Sequence, residues 1–340
     1  MVTLKELSQL LNVSISTVSK SLKNSPEISV ETIERVQKLA KELNYRPNTR
    51  ALSLKNRRSG NIGVIIPDIT NAFFAKVLYG IEEAATSHGY NIITCLSNER
   101  RDKEVNSINL LSNGSVDGFI LAVAEETQAT TDVSHFKELL SQRIPIVMFD
   151  RVSMSVNCDK VIIDDYNAAY QATQLLIEEG RKSIVLFDNL GELSVAKLRV
   201  LGYKKAIDES TQYDAEPCVV SVDSHKDHMY QDVVQLFNDH QNMDGLLCID
   251  NSSGVKAIHY AQSIGIKIPE ALSVMGFASS DVHALAHPEL STVTQNADEI
   301  GRKSVATLVD RLKENGMSNY SHSIATHTVS FNLVKRGSTL

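Results

Sequence analysis

The first 45 residues carry hydrophobic side chains at the spacing of short amphipathic helices. In the first segment these positions are Leu4, Leu7 and Leu11. Thr3 and Glu6 form the capping-box pattern that begins a helix, and Ser14 is a good N-cap for a second helix over residues 15–23. A third helix begins near Ser29, and its expected buried positions are Val30, Ile33, Val36, Leu39, Ala40 and Leu43. Three short helices, the first two joined by a tight turn, predict a helix-turn-helix module.

From residue 61 the pattern changes to short apolar runs separated by amphipathic segments of helix length. The first four runs are Asn61–Ile66, Asn91–Ser97, Asp117–Val123 and Pro145–Asp150. The next four are Ser183–Asp188, Cys218–Val222, Gly245–Ile249 and Leu272–Phe277. Such runs between helices predict parallel sheets built from βαβ units. Two sets, one on each side of residue 162, predict two doubly wound lobes with a ligand cleft at the carboxyl ends of their strands.

Charge is divided unevenly between these two regions. Residues 1–58 contain 11 Lys and Arg against 5 Asp and Glu, a net charge of +6, whereas the rest of the chain contains 23 against 36, a net charge of −13. A basic head on an acidic body indicates that the head meets a polyanion, although a solvated helical face has a similar composition. The predicted second helix turns Ile15, Ser16, Thr17, Ser19 and Lys20 outwards. Hydroxyl and ammonium groups suit contacts with phosphates and base edges.

Other classes of protein lack support in the sequence. No apolar run approaches the length of a membrane span, and the N-terminus has no apolar segment of a signal peptide. Four scattered cysteines without a CxxC pair are typical of reduced thiols in a cytoplasmic protein. The nucleotide-binding and hydrolase motifs GxGxxG, GxxxxGK[ST] and GxSxG are absent, so we expect no enzyme and no cofactor. The histidines at 225, 228, 283 and 287 lie in polar stretches, and we predict no metal site.

Three segments of the head resemble the LacI/GalR family of transcriptional regulators, namely Thr3–Leu7, Val13–Leu22 and Asn44–Asn48. The resemblance implies that the second helix enters the major groove of DNA. There Ile15, Ser16 and Lys20 read bases, and Ser14, Thr17 and Ser19 hold phosphates. Thr3 and Asn48 are further implied contacts. The family commonly has arginine at the position of Lys20, and lysine lacks the bidentate fork that reads guanine.

Residues 49–58 resemble the hinge helix of the same family, which folds in the minor groove. Leu54 matches the leucine that wedges between base steps and kinks the duplex. The usual Ala-Arg-Ser-Leu is here Ala51-Leu52-Ser53-Leu54, so one basic contact is missing. Arg50 is the expected replacement for it.

The resemblance continues over the rest of the chain, through Ile62–Phe74, Asp117-Gly118, Ile144–Arg151, Arg199–Tyr203, Gly265–Pro269, Met275–Phe277, Leu290–Val293 and Leu333–Ser338. It implies a periplasmic-binding-protein-like effector domain whose cleft is lined by Phe73, Phe74, Asp150, Arg199, Asp250, Asn251 and Gln295. Aromatic rings stack on sugars or bases, carboxylates accept hydroxyls, and arginine clamps polar groups. Ala278 stands where the family has an aspartate that often holds a sugar. Asp250, from a pair inverted relative to the family's Asn-Asp, is the expected substitute.

The predicted fold is α/β, with a helix-turn-helix head at 1–48, a hinge helix and linker at 49–60 and a two-lobed, doubly wound effector domain at 61–340. Lobe 1 is expected at about 61–161 plus 292–322, and lobe 2 at about 162–291 plus 323–340. The predicted function is a homodimeric DNA-binding regulator, a repressor, whose affinity for a pseudo-palindromic double-stranded operator responds to a small polar effector. The alternatives are a regulator controlled by a partner protein and a solute-binding protein without DNA function.

Overall fold

The computed structural model describes residues 2–45, 58–211, 216–222, 228–250, 252–278, 281–314 and 323–340. The chain divides into two compact units, Met1–Ser59 and Gly60–Leu340. The first unit is the helical head, and the second is the α/β body.

Three helices make up the described part of the head: α1 (Leu4–Leu11), α2 (Ile15–Ser21) and α3 (Val30–Glu42). Both hydrogen bonds of the predicted capping box are present. The Glu6 N–H donates to Thr3 Oγ1 over 3.2 Å, and the Thr3 N–H donates to Glu6 Oε2 over 2.8 Å. Asn12 ends α1 in the left-handed conformation, with φ of 51°, and this sharp turn leads directly into α2. The buried core of the head consists of Leu7, Val18, Val36 and Ala40.

Two positions that we expected in the buried stripe of α3 are exposed instead. Val30 is 72% exposed and Leu43 is 37% exposed. Val30 is the first residue of the helix, and Leu43 follows its last residue. The helical spacing therefore predicts the core correctly in the middle of α3 and fails at its ends, where the neighbouring helices give no cover.

The body contains two six-stranded sheets. Its strands are β1 (Asn61–Ile66), β2 (Asn91–Leu96), β3 (Gly118–Leu121), β4 (Ile146–Phe149), β5 (Asp159–Ile162), β6 (Ile184–Asp188), β7 (Cys218–Ser221), β8 (Gly245–Cys248), β9 (Ser273–Phe277), β10 (Ser291–Thr294), β11 (Thr326–Thr328) and β12 (Asn332–Val334). The strand order is β11-β5-β4-β3-β1-β2 in the first sheet and β12-β10-β9-β8-β6-β7 in the second. All described pairs are parallel except β10 with β12.

Helices cover both faces of each sheet. They are α4 (Ala72–Ser87), α5 (Arg101–Leu111), α6 (Glu125–Thr130), α7 (Ser134–Ser141), α8 (Asp165–Glu178), α9 (Ser194–Glu209), α10 (Met229–Asp239), α11 (Ser253–Ser263) and α12 (Ala297–Glu314), with a short 3-10 helix at Asp281–Leu285. Every residue of the central strands β3, β4, β8 and β9 is buried. This two-sided burial is the reason that these strands appear in the sequence as continuous apolar runs rather than as alternating ones.

The chain passes between the two sheets three times: after β5, after β10 and after β11. The first passage follows β5, which ends at Ile162. The other two come later than the sequence pattern predicts, because β10 (291–294) pairs with β9 in lobe 2 and β11 (326–328) pairs with β5 in lobe 1. Ser-Thr-Val-Thr and Thr-His-Thr are short and polar, so their hydrophobic pattern does not show which sheet they join.

The Arg-x-x-Gly-Tyr segment at 199–203 has a packing function in addition to its position beside the cleft. A Cβ atom at Gly202 would lie 2.1 Å from the Tyr166 carbonyl oxygen, so only glycine allows α9 to approach α8 this closely. The fully buried Tyr203 donates its hydroxyl to the Ile184 carbonyl over 2.8 Å and accepts from the Cys218 N–H over 3.0 Å. These contacts fix α9 against β6 and β7, and with them the start of α9 at the cleft.

Candidate functional site

Helix α2 has one buried side and one polar surface. Val18 is buried against the other two helices, whereas Ser14, Ile15, Ser16 and Lys20 are exposed. The remaining predicted contacts of this helix, Thr17 and Ser19, are half-buried. The helix therefore presents a compact group of hydroxyl, aliphatic and ammonium groups of the kind that reads base edges in a major groove.

Two interactions hold this surface in place. The Ser14 hydroxyl caps α2 by accepting from the Thr17 N–H over 3.0 Å, and it lies 2.9 Å from the Ser16 hydroxyl. The Lys20 ammonium forms an ion pair with Glu27, a residue that the sequence pattern did not single out. Exposed pairs of this kind contribute little stability, so Lys20 can exchange Glu27 for a DNA acceptor at low cost. Thr3 is exposed at the start of α1. Asn48, Arg50 and Leu54 lie outside the described residues.

A cavity of about 680 Å³ opens between the two lobes of the body, at the carboxyl ends of the strands. Its volume lies within the range of about 300–1,000 Å³ that is usual for small-molecule sites. Six of the seven predicted effector residues line it: Phe73, Phe74, Asp150, Arg199, Asp250 and Gln295. The seventh, Asn251, lies outside the described residues. The assignment of these residues to an effector stays a prediction, and the contacts of each residue are as follows.

The aromatic pair lies at the start of α4, which Asn71 caps by accepting from the Phe73 N–H over 3.0 Å. Phe73 and Phe74 are 4% and 2% exposed, and their ring centroids lie 5.2 Å apart in an edge-to-face arrangement. The guanidinium of Arg151 lies 5.2 Å from the Phe74 ring centroid. Packing thus occupies much of both rings and leaves their edges to form one wall of the cavity.

Arg199 is buried and bound on several sides. Its Nε donates to Asp165 Oδ1 over 2.7 Å, and its Nη1 donates to the Ile249 carbonyl over 2.6 Å. Its guanidinium also stacks on Phe277, 4.0 Å from the ring centroid. Because Asp165 neutralises it, Arg199 presents its remaining N–H groups to a ligand without a free positive charge. The sequence analysis did not single out Asp165, which lies at the start of α8.

Asp150 is a buried carboxylate in the lining of the cavity. It is 8% exposed, adopts a left-handed φ of 54° directly after β4, and accepts no side-chain hydrogen bond from the described residues. Burial and, next, the nearby carboxylate of Asp165 raise the pKa of Asp150 to about 6, against the opposing effect of Arg199. The Asp150 carboxylate faces the cavity, so a ligand hydroxyl there can donate to it.

Asp250 uses its carboxylate within its own turn. Oδ2 accepts from the N–H and the hydroxyl of Ser252, each over 3.0 Å. Oδ1 accepts from the Ser253 N–H over 2.9 Å and also from the Ser253 hydroxyl. A carboxylate offers about four acceptor positions, and all four serve the start of α11. Asp250 lines the cavity, but it is less available to replace the aspartate that Ala278 lacks than the sequence suggests.

Nine further polar residues line the cavity that the sequence analysis did not assign to it: Asp68, Thr70, Asn71, Glu99, Glu125, Arg151, Asn189, Ser252 and Lys256. Four of them follow within three residues of a strand end, after β1, β2, β4 and β6. Because parallel strands meet a ligand at their carboxyl ends, polar residues directly after each apolar run were the signal that could have found them.

Two further observations on the described residues concern metal ions and membranes. Within the described ranges, no group of three or more His, Cys, Asp or Glu residues could hold a metal ion. Over the same residues, no helix is both long and apolar enough to cross a membrane.

A helix-turn-helix head joined to a two-lobed domain with a ligand cavity defines a ligand-responsive, DNA-binding regulator. Residues 3–48 match the family described as bacterial regulatory proteins, lacI family, and residues 59–331 match periplasmic binding proteins and the sugar-binding domain of the LacI family. The chain belongs to the LacI family and is a sequence-specific DNA-binding transcriptional regulator. The match over the head rules out the alternative of a solute-binding protein without DNA function.

Individual relatives match over nearly the whole chain. A catabolite control protein A of Priestia megaterium is 30% identical over 309 residues, 90% of this chain and 91% of that protein. A ribose operon repressor of Halalkalibacterium halodurans is 30% identical over 337 residues, 99% of this chain and 98% of that protein. A crystal structure of the lac repressor dimer bound to operator superimposes with a TM-score of 0.83 at 21% identity, covering 100% of this chain and 99% of that one.

Proposed function

We propose that the protein is a homodimeric repressor in the cytoplasm, without enzymatic activity of its own, that binds a pseudo-palindromic operator and releases or retains it according to a small polar effector in the inter-lobe cavity. The observation that carries this proposal is the cavity itself. An unsatisfied carboxylate, a neutralised guanidinium and an aromatic pair converge there from both lobes of a DNA-binding protein.

The chemistry of the head supports recognition of two half-sites. One α2 helix presents few base-reading groups, so a useful level of specificity requires two heads on one operator, with half-sites about 34 Å apart along the duplex. Ile15 and Lys20 are the exposed residues long enough to reach base edges, and the short hydroxyl residues suit the nearer phosphates.

The arrangement of the two lobes supports control by a ligand. Binding between lobes favours whichever closure makes more contacts with the ligand, and a coupling of about 1–3 kcal/mol to operator affinity is sufficient for a working switch. The 30% identical ribose operon repressor makes sugars the first effectors to test.

The first experiment selects the operator from a random DNA library with the full-length protein and titrates variants on it. Lys20→Ala should lose about 1–3 kcal/mol on the selected sequence, with discrimination relaxed at one base pair of each half-site. Lys38→Ala, an exposed lysine of α3, is the matched control and should change operator affinity little. An equal loss on operator and random DNA would show that Lys20 contacts phosphate, and failure to select any sequence would refute the proposed operator.

The second experiment screens ligands by thermal shift and tests each hit in an operator titration. The expected result is a polar compound that both stabilises the protein and changes operator affinity. A compound that stabilises the protein without changing operator affinity would argue against the switch. If no polar compound binds, control by a partner protein becomes the better explanation.

A further inference from the structure

Lys20 is the one cation of α2, and it is paired with a carboxylate. Residues 2–45 carry five further cations, namely Lys5, Lys23, Arg35, Lys38 and Lys41. Within this described stretch, however, the ion pair between Lys20 and Glu27 is the only one. The side chains of the two partners are 47% and 66% exposed, so the pair lies at the surface and does not serve the core of the head. The paired cation is thus the one that is predicted to read a base.

Backbone hydrogen bonds place Glu27 beside the end of α2. The Lys20 carbonyl accepts from the Ser25 N–H over 3.0 Å, so the chain folds back against the helix. The Ile28 N–H then donates to the Ser25 carbonyl over 3.2 Å. This second hydrogen bond closes a turn that has Pro26 and Glu27 at its central positions, and proline favours the first of these positions. The turn points Glu27 back towards Lys20.

Helix α3 holds the same loop from the other side. The Gln37 amide donates to the side-chain oxygen of Asn24 over 2.7 Å and to the Ser21 carbonyl over 3.4 Å. Asn24 adopts a left-handed φ of 54°, a conformation that asparagine tolerates better than most residues. The approach of Glu27 to Lys20 is therefore a property of the folded loop and not a chance meeting of two long side chains.

Pairing with a carboxylate changes what the Lys20 ammonium can do on DNA. A free lysine is a point charge on a flexible stem, and phosphates attract it whatever the base sequence. The carboxylate of Glu27 offsets that charge and is itself repelled by phosphate. An ammonium has three N–H donors, so Lys20 can keep one on Glu27 and direct the others to a base. The pair therefore loses attraction for phosphates and keeps hydrogen bonds for guanine, whose O6 and N7 accept from lysine.

We propose that Glu27 is a specificity-determining residue of the head, which neutralises and orients Lys20 so that Lys20 reads a guanine rather than a phosphate. The inference rests on the proposed function, in which Lys20 contacts a base. It accounts for lysine at this position, because the carboxylate supplies the fixed direction that a lysine side chain lacks and that the fork of arginine has built in. Glu27 acts through Lys20 and is therefore a positioning residue.

Glu27→Gln tests the inference on the operator that the full-length protein selects from the random library. The amide keeps the size of the side chain and removes its charge, so Lys20 becomes free to bind phosphate. We expect binding to random DNA to tighten about threefold or more, and discrimination at the base pair that Lys20→Ala relaxes to fall by at least about fivefold. On random DNA, the slope of log affinity against log salt concentration should steepen by about one, the value for one additional phosphate contact.

Glu34→Gln is the matched control. Glu34 is exposed on α3, and its substitution changes the net charge of the head by the same amount. This variant should affect operator and random DNA equally and leave the base discrimination unchanged. The same loss of discrimination in Glu34→Gln would show that the general charge of the head is responsible, and it would overturn the inference. Unchanged discrimination in Glu27→Gln would overturn it as well.

The double variant Lys20→Ala/Glu27→Gln separates failure of this inference from failure of the proposed function. If Glu27 acts through Lys20, the double variant should discriminate at that base pair as poorly as Lys20→Ala alone. A further loss would show that Glu27 contacts DNA by itself, and would overturn its role as a positioning residue. If Lys20→Ala relaxes no base pair, the proposed base contact fails and the inference fails with it. If Lys20→Ala relaxes one base pair and Glu27→Gln relaxes none, only the inference fails.

Discussion

The two lobes share one architecture and contribute different chemistry to the cavity between them. Both have a six-stranded sheet whose central strands are parallel. Lobe 1 lines the cavity with four carboxylates, Asp68, Glu99, Glu125 and Asp150. Lobe 2 lines it mainly with the apolar residues Leu190, Leu193, Val195, Val222, Met229 and Phe277. A ligand with hydroxyl groups on one side and a C–H face on the other fits this asymmetry.

The difference shows which parts of the sheet the fold constrains. Strand interiors must be apolar on both faces, because helices cover them, and so the two lobes are alike there. The residues after each strand face the cavity and are free of that requirement. Lobe 2 also contributes the polar residues Asn189, Arg199, Asp250, Ser252, Lys256 and Gln295. Its cations, Arg199 and Lys256, carry positive charge towards the carboxylates of lobe 1, and Arg199 is the one at which the comparison can be tested.

The largest effect is expected for Arg199, the buried cation of lobe 2. Arg199→Ala leaves the Asp165 carboxylate buried without a partner, and it should lower the free energy of unfolding by about 3–5 kcal/mol in urea titrations at pH 7.5. Adding Asp165→Asn removes the uncompensated charge and should recover at least about half of that loss.

Lys197→Ala on the same helix is the control for the Arg199 variants. Lys197 pairs with Glu192 at the surface, where both side chains are more than half exposed. We expect a change of no more than about 0.5 kcal/mol in this variant. A loss below about 1 kcal/mol in Arg199→Ala, without recovery in the double variant, would mean that the pair does not act as a unit.

The second prediction concerns Asp150 and its pH dependence. Burial raises the pKa of Asp150 from 3.8 to about 6. Above pH 6 the folded protein pays the cost of an ionised, buried carboxylate, and below pH 3.8 the group is protonated in both states and the cost disappears. Asp150→Asn should therefore be more stable than wild type by about 1–3 kcal/mol at pH 7.5, and this advantage should shrink as pH falls from 6 towards 4.

Urea titrations at several pH values between 4 and 7.5 measure this advantage directly. Asp239→Asn, at an exposed aspartate, is the control and should show no such trend. Asp244 would not serve, because its carboxylate accepts three backbone hydrogen bonds. A constant difference between Asp150→Asn and wild type at all pH values would mean that Asp150 does not titrate in this range.

The same titration should affect ligand binding. The ionised carboxylate of Asp150 accepts ligand hydroxyls best, so the affinity for a neutral sugar should also fall below about pH 6.

Much of the fold could be predicted from the sequence, since the eight apolar runs correspond to eight strands of the two sheets and the helices of the head have their N-caps at Thr3, Ser14 and Ser29. The sequence also named six described residues that line the cavity. It did not reveal that Asp165 holds Arg199 or that Ser252 and Ser253 occupy Asp250. The Asp165–Arg199 pair joins residues 34 positions apart and depends on which strand ends become neighbours in space, which no local pattern encodes. The Asp250 contacts are local, and Asp followed by Ser two and three residues later is the turn and helix-cap pattern that could have predicted them.

The smallest expected effect concerns the pair of hydrogen bonds between Gln128 of lobe 1 and Ser194 of lobe 2. Gln128 on α6 of lobe 1 accepts from the Ser194 N–H over 2.9 Å and donates to the Ser194 hydroxyl over 3.2 Å. Ser194 begins α9, the helix that carries Arg199, so this bridge holds the two unlike walls at one spacing. Gln128→Ala removes a bridge worth about 1 kcal/mol and should weaken effector binding about fivefold in calorimetric titrations.

Gln142→Ala, an exposed glutamine at the end of α7 in the same lobe, is the matched control and should leave effector affinity unchanged. Small-angle scattering of the ligand-free Gln128→Ala protein should show a larger radius of gyration if the bridge favours the closed lobes. Unchanged affinity and unchanged size would mean that the apolar wall of lobe 2 and the charged wall of lobe 1 hold their spacing without Gln128. The packing of the buried cluster that spans both lobes would then be the determinant of closure.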